Sequence, residues 1–235
     1  MDIRNATILV TGANRGLGLA FAREALARGA RKVYAAARDP ARVTLSGVVP
    51  VKLDVTRPED AAAVARECDD VTLLINNAGI ASTGGFLADD GVANARAMLE
   101  TNYFGPLHLS RAFAPVLAKN GGGAILNVLS VASWISGPTL AVYGASKSAA
   151  WALTNALRIE LEQQKTQVLA LHAGFIDTDL TRGIDAPKSP PEVIVRAAFE
   201  GLAAGASEVL ADDITRAVHA GLTADPAMYL QARRA

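Results

Sequence analysis

The amino-acid sequence predicts an α/β fold: a doubly wound, mostly parallel seven-stranded sheet with helices on both faces. Three features carry that expectation. Short apolar, β-rich runs alternate with runs of helical period along the 235-residue chain. The strand-like runs are continuously apolar, the pattern of strands covered on both faces. A glycine-rich turn follows the first of them. Parallel strands joined by right-handed crossovers then give the doubly wound order.

The first strand is expected over Ala6–Gly12 (ATILVTG). A helix follows from about Leu17 to Arg28 and stops at Gly29. Lys32–Arg38 (KVYAAAR) reads as a second strand and Val48–Val55 (VVPVKLDV) as a third. Pro58 then opens a helix, because its missing N–H and fixed φ suit a first helical position. Val71–Gly79 (VTLLINNAG) is a fourth strand. A long helical stretch covers Asp90–Ala118, with a bend expected near Gly105-Pro106. Gly123–Ser130 (GAILNVLS) is a fifth strand, and a helix covers about Val142–Gln164. Gln167–Gly174 (QVLALHAG) is a sixth strand and Ser207–Ala211 (SEVLA) a weak seventh. Asp185–Glu192 is dense in helix breakers and reads as a loop. The tail beyond Pro226 receives no assignment. No repeat and no linker divides the chain, so residues 1–235 are expected to form a single domain.

Apolar residues make up 51% of the chain, enough for a sizeable core. Lysine plus arginine number 23 and so do the acids, and this zero net charge lacks the basic surplus that nucleic acid requires. No apolar run is long enough to span a membrane. The chain opens MDIRNATILVTG and enters a strand pattern directly, so no secretory leader is expected. Cys68 is alone, cannot form a disulfide within the chain, and reads as structural filler. These features suit a reducing, cytoplasmic setting without a membrane or nucleic-acid partner.

The stretch LVTGANRGLGLA joins the first strand to its helix, with Gly12, Gly16 and Gly18 spaced G-x-x-x-G-x-G. Glycine permits a tight turn and a close approach of backbone to a pyrophosphate, and the helix N-terminal amides attract its charge. The turn therefore reads as a nucleotide site rather than a merely structural turn. Tyr143 and Lys147 lie one helical turn apart, a spacing that puts both on one face. An ammonium beside a phenol favours the phenolate. Moving a tyrosine pKa from about 10 to about 7 requires roughly 4 kcal/mol. A surface ion pair supplies ~1 kcal/mol or less. A partly desolvated lysine together with a cofactor charge could supply the rest. The alternative is a tyrosine packed at a helix start beside a solvated lysine.

The motifs TGANRGLG (Thr11–Gly18), NNAG (Asn76–Gly79) and Y-x-x-x-K (Tyr143–Lys147) occur in that order. Together they make the sequence resemble the short-chain dehydrogenase/reductase family, in its compact single-domain branch. The resemblance covers nearly the whole chain. It implies a Rossmann fold, a nicotinamide cofactor and a catalytic Ser–Tyr–Lys set with an assisting asparagine. Tyr143 and Lys147 match directly. Ser130 lies thirteen positions before Tyr143, the spacing of the family's serine, whereas Ser133 and Ser136 fall out of register. Asn102 matches the family's helix asparagine; otherwise it is a helix-capping or kink-stabilising amide. By resemblance, Tyr143 exchanges a proton with the substrate oxygen and Ser130 donates a hydrogen bond to it. Lys147 also holds the nicotinamide ribose, and Asn102 supports a water that passes protons to Lys147.

The implied cofactor contacts are Gly12, Asn14, Arg15, Gly16, Leu17, Gly18 and Arg38 from the first half-fold. Asp54, Val55, Asn77, Ala78, Gly79, Tyr143, Lys147, Gly174, Ile176 and Thr178 complete them. The position at which family members carry an NAD-selecting acid is Ala37 here, followed by Arg38. Asp39 roughly meets the general rule of an acid about 20 residues past the glycines. Arg15 and Arg38 offer two guanidiniums suited to a ribose 2′-phosphate, so NADP(H) is expected over NAD. Ala173 stands where the family has a proline before Gly174, which takes a rigid ring out of that turn. His172 reads as a strand-end histidine rather than an acid/base group. The three histidines and Cys68 show no metal-ligand spacing, so no metal is expected.

Trp134, Ile135, Leu140, Phe175 and Leu180 are expected to face the substrate. None carries a charge, which suits a neutral, fairly hydrophobic ketone or aldehyde and the matching alcohol. The chemistry would then be of carbonyl reductase or alcohol dehydrogenase type. Residues 178–191 resemble the family's substrate loop in a short form. The helices around Ala93–Ala118 and Val142–Gln164 carry wide apolar surface, and family members pair such helices into homodimers or homotetramers. Two rival readings stand beside this one. A dinucleotide-sensing regulator without chemistry would be expected to lose Ser130, Tyr143 or Lys147. A lyase or epimerase on the same fold would keep its cofactor without net oxidation.

Overall fold

The computed structural model describes residues 1–137 and 139–231. Its strands are β1 (Thr7–Thr11), β2 (Lys32–Ala37), β3 (Val49–Lys52), β4 (Leu73–Asn76), β5 (Ala124–Val128), β6 (Gln167–His172) and β7 (Glu208–Leu210). They form one sheet in the order β3-β2-β1-β4-β5-β6-β7. Every neighbouring pair is parallel. This is the doubly wound Rossmann sheet that the alternation of apolar runs and helices predicts.

Successive strand residues feed opposite faces. Ile8, Val10, Leu73, Ile75 and Leu126 enter one core cluster. Leu9, Leu74, Ile125 and Val168 enter the other. Helices α1 (Gly16–Ala27) and α6 (Pro191–Ala203) cover the first face, where Phe21 and Phe199 meet edge-on with ring centroids 5.6 Å apart. Helices α2 (Pro58–Glu67), α4 (Gly105–Lys119) and α5 (Ala141–Glu160) cover the second through Val64, Phe113 and Leu157. Burial on both faces is the reason the strands read as unbroken apolar runs. Cys68 is fully buried on the second side, and loss of solvent pushes its thiol up to about 12. The edge strand β7 is short, half-buried and carries Glu208, so its sequence signal is weak.

The strands are shorter than the apolar runs. Gly12, Asn77–Gly79, Leu129–Ser130 and Ala173–Gly174 lie past the strand ends, where the backbone leaves the ladder for loops. The long helical stretch divides into α3 (Gly91–Leu99), one π-helical turn at Glu100–Phe104, and α4. The irregularity thus falls just before Gly105-Pro106 rather than at it. Pro106 has no N–H to continue an α-helical ladder, and the wider turn absorbs the mismatch. Gly105 keeps this turn close to Val55, whose Cγ2 would lie 3.0 Å from a Cβ placed there.

Two helices went unassigned in the sequence. Helix α6 begins at Pro191, inside the segment expected to be a loop to Glu192, and buries Ile194, Val195, Ala198, Phe199 and Leu202 at helical spacing. Helix α7 (Asp213–Gly221) is capped by Asp212, whose side chain accepts from the Thr215 amide. Beyond Pro226 a 3-10 turn spans Met228–Leu230. Among the described residues no helix is long and apolar enough to cross a membrane. The order of strands reverses between β1 and β4, so the loops after them part and open a crevice at the strands' C-terminal ends.

Phe199 has no exposed surface (0%) and anchors α6 to α1. Phe199→Ala is expected to cost about 3–5 kcal/mol of unfolding free energy. A fall in the urea midpoint at unchanged slope would report it.

Candidate active site

The crevice begins at the glycine turn. Gly12 and Gly16 take φ of 66° and 54°, the left-handed region that glycine enters without penalty. Gly18 is required by space: a Cβ there would lie 2.3 Å from the Gly12 oxygen and 2.6 Å from Asn77 Nδ2. That closeness lets Asn77 Nδ2 donate to the Thr11 oxygen at 2.8 Å. The Thr11 hydroxyl accepts from the amides of Asn77 and Ala78, both at 2.9 Å. The ends of β1 and β4 are thereby locked together. Helix α1 starts without a side-chain cap and with no acid in its first turn. Its N-terminal amides and positive dipole end face the crevice.

The crevice has a volume of about 770 Å³. Asn14, Arg15, Gly16, Leu17, Gly18 and Gly12 line one wall. Arg38, Asp54 and Val55 line it at the ends of β2 and β3, and Asn77, Ala78 and Gly79 at the end of β4. Asp39 also lines it, but its Oδ1 accepts from the Ala41 amide and caps a 3-10 turn at Pro40–Arg42. That turn brings Arg42 into the same wall as Arg15 and Arg38. Arg15 pairs with Asp179 at 3.5 Å from the loop after β6. The Asp54 carboxylate accepts from the amide and hydroxyl of Thr56.

Tyr143, Lys147 and Ser130 meet at the other end of the crevice. Lys147 is buried; its Nζ donates to the Val128 oxygen at 2.8 Å and lies 5.8 Å from the Tyr143 ring centroid. Ser130 Oγ accepts from the Ala132 amide at 3.1 Å. Ser133 is buried in the same capping turn and Ser136 is exposed; neither lines the crevice. Desolvation pushes the Tyr143 phenol up to about 12, against a lowering contribution from the Ser130 hydroxyl. Desolvation also pushes Lys147 down to about 8. The nearby ammonium by itself therefore does not acidify the phenol. Burial acts on both groups and favours their neutral forms.

Other expected residues lie elsewhere. Asn102 is buried in the π-helical turn, behind the crevice wall. Its Oδ1 accepts from the Ile80 amide, and its Nδ2 donates to the Ile80 oxygen and to Ser146 Oγ, each at 2.9 Å. Trp134 and Ile135 do not line the crevice, contrary to expectation. Trp134 turns the other way, because its indole stacks on His172 with centroids 3.9 Å apart and meets Trp151 edge-on. Leu140, Phe175 and Leu180 do line it, as do Gly174, Ile176 and Thr178. Ile80, Thr101, Ile184 and Ile214 join them unforeseen. Ile214 comes from α7 and Arg42 from the capped turn, and the Asp-initiated patterns DDITRAVHAG and DPAR were the available signals. The turn that lacks proline is held another way: the Gly174 amide donates to Asp212 Oδ2 at 2.7 Å.

Residues 6–189 match the family model described as short chain dehydrogenase. The chain belongs to the short-chain dehydrogenase/reductase family. It is 35% identical over 198 residues to dehydrogenase/reductase SDR family member 7B of Bos taurus, across 76% of this chain and 60% of that protein. It thus spans about three-fifths of that relative's length. A short chain dehydrogenase from Burkholderia cenocepacia, solved in complex with NADP, superposes with a TM-score of 0.92 at 40% identity, covering 96% of each chain. A short chain dehydrogenase/reductase from Burkholderia phymatum, solved with NAD, superposes with a TM-score of 0.87 over 100% of each chain; at 23% identity it shares the fold.

A Cβ at position 18 would clash with backbone, which cannot step aside cheaply. Gly18→Ala is expected to weaken binding of a nicotinamide dinucleotide by on the order of tenfold or more, ~1.4 kcal/mol. Fluorescence titration of the folded variant would measure it.

Proposed function

We propose that this protein is an NADP(H)-dependent oxidoreductase that reduces a neutral, fairly hydrophobic ketone or aldehyde to an alcohol, and runs the reverse. One observation carries the reading: half-buried Tyr143 and buried Lys147 and Ser130 stand together at one end of a crevice whose other end is a glycine turn ringed by arginines. The crevice fits a dinucleotide by its own chemistry. Close backbone at Gly12 and Gly18, open α1 amides and flanking guanidiniums match a pyrophosphate and a further phosphate. Gly12, Asn14, Arg15, Gly16, Leu17 and Gly18 would hold the diphosphate. Asp54, Val55 and Asn77–Gly79 would border the adenine and ribose, and Lys147 with Gly174, Ile176 and Thr178 the nicotinamide half.

A reduced nicotinamide bound there supplies the hydride. The protein's share is proton placement and polarity. A phenol raised to about 12 stays protonated at neutral pH, which suits Tyr143 as the acid that gives its Oη proton to a carbonyl oxygen. Ser130 Oγ donates a hydrogen bond to the same oxygen and stabilises its developing charge. Lys147, anchored on the Val128 oxygen, keeps an ammonium near the phenol while it holds its own proton. Asn102 is a positioning residue that fixes the Ile80 main chain beside this group. Leu140, Phe175, Leu180, Ile184 and Ile214 give the substrate end an apolar wall. The choice of NADP(H) over NAD rests on Arg15, Arg38 and Arg42, and on a 40%-identical structure that holds NADP. Residues 1–235 would act as one domain with 178–191 as a short substrate loop, and apolar residues left exposed or half-buried on α4 and α5 support a homodimer or homotetramer.

Tyr143→Phe is expected to abolish NADPH oxidation with a panel of aromatic and aliphatic ketones while NADPH still binds. Near-normal turnover would end the proposal. Arg38→Ala is expected to lower kcat/KM for NADPH, and so the preference over NADH, by on the order of tenfold. A wild-type preference for NADH would reject the cofactor assignment. Lys147 loses its proton as pH rises through about 8. The kcat/KM for NADPH reports groups of the free enzyme. It is therefore expected to be level below that pH and to fall above it, and a profile that rises there would contradict the role of the ammonium.

A further inference from the structure

Behind Ser130, at the end of β6, lies a cluster of side chains that the crevice does not include. His172 has no exposed surface (0%). Its Nδ1 is 3.1 Å from the Ser130 main-chain oxygen. Its Nε2 is 3.0 Å from Glu208 Oε1 on β7, close but off the line of a well-aligned hydrogen bond. The Trp134 indole stacks on the imidazole at an interplanar angle of 20°. From α7, His219 approaches Glu208 Oε2 at 3.7 Å and meets the Trp134 ring at 62°. Arg158 on α5 is the remaining charge that bears on Glu208.

Both imidazole nitrogens therefore face acceptors. A carbonyl oxygen cannot donate, and neither can a carboxylate. A neutral ring carries one N–H, so either tautomer sets a lone pair against an oxygen, at Ser130 or at Glu208. A doubly protonated ring meets both, with the carboxylate as counter-charge. The adjacent His172 ring is the largest influence holding the Glu208 carboxyl below the usual range. The stacked indole face also suits a cation. Without such partners a buried imidazolium would be costly.

We propose that His172, as an imidazolium held by Glu208, is a positioning residue for Ser130: it fixes the serine's main-chain oxygen and with it the direction of Ser130 Oγ. Within the turn to Ser133, the Ser130 amide donates to Ser133 Oγ and Ser130 Oγ accepts from the Ala132 amide, while the hydroxyl also bears on the Tyr143 phenol. The imidazole ties that turn to β6, next to the main-chain bond from Val131 N to Ala173 O at 2.9 Å. Neither His172 nor Glu208 lines the crevice, so the pair acts through Ser130. The inference rests on the role proposed above for Ser130.

Nitrogen-15 NMR of histidine-labelled protein at neutral pH is expected to show both His172 ring nitrogens protonated. One bare nitrogen overturns the proposal. His172→Gln and Glu208→Gln are each expected to lower kcat for ketone reduction roughly tenfold, with the NADPH dissociation constant changed less than about twofold. Glu208→Gln keeps the side chain's shape and decides the matter if His172→Gln does not fold. Wild-type kcat in folded Glu208→Gln overturns the proposal, and so does a matching loss of NADPH binding. An inert Tyr143→Phe beside a fully active Glu208→Gln removes this inference alone. An active Tyr143→Phe removes the functional reading beneath it.

Discussion

The site depends on one near-contact. Helix α1 passes so close under the first turn of backbone that position 18 has no room for a side-chain carbon, the Gly12 oxygen being 2.3 Å from where it would stand. This closeness admits the Asn77 amide to the Thr11 oxygen, and so joins the two strands at which the sheet changes winding. Everything on the crevice wall is referred to that junction. The crevice-facing end of α1 points where it does because the helix cannot sit further out. The end of β4 turns where it does because Thr11 takes two of its amides.

Burial sets the electrostatics at the opposite end. A sheet covered on both faces leaves little water for groups at its strand ends, and both Tyr143 and Lys147 move toward neutrality. The sequence spacing places an ammonium beside a phenol, and solvent exposure decides what that neighbour is worth. Here the lysine hydrogen-bonds to the last residue of β5 rather than to the phenol oxygen. In the protein alone the phenol keeps its proton, and any acidification of it has to come with a further charge in the crevice.

Much of the fold was legible because strand burial on two faces writes itself as apolar runs, and the glycine, NNAG and Tyr–Lys motifs sit on consecutive strand ends. Helix α6 was equally legible in its spacing of Ile194, Val195, Ala198, Phe199 and Leu202, but prolines at its start masked it. Helix α7 is short and half-exposed, and its cap at Asp212 is a local signal without a long apolar stripe. Side-chain direction was the harder matter. Trp134 follows Ser130 closely in sequence, and no pattern tells which way a residue leaves a 3-10 turn. Its direction is set by His172, which arrives from another strand. Arg42 reaches the crevice only through a turn that Asp39 caps. Such facts are tertiary, and periodicity does not carry them.

The Gly174 amide rests on the Asp212 carboxylate, which also caps α7. A proline ring would stiffen that bend from within. Here stiffness is borrowed from a residue 38 positions further along. Order in this part of the crevice wall therefore belongs to a cooperative unit that includes the last α-helix. Fraying of α7 would loosen the bend, so amide exchange at the two places is thermodynamically joined.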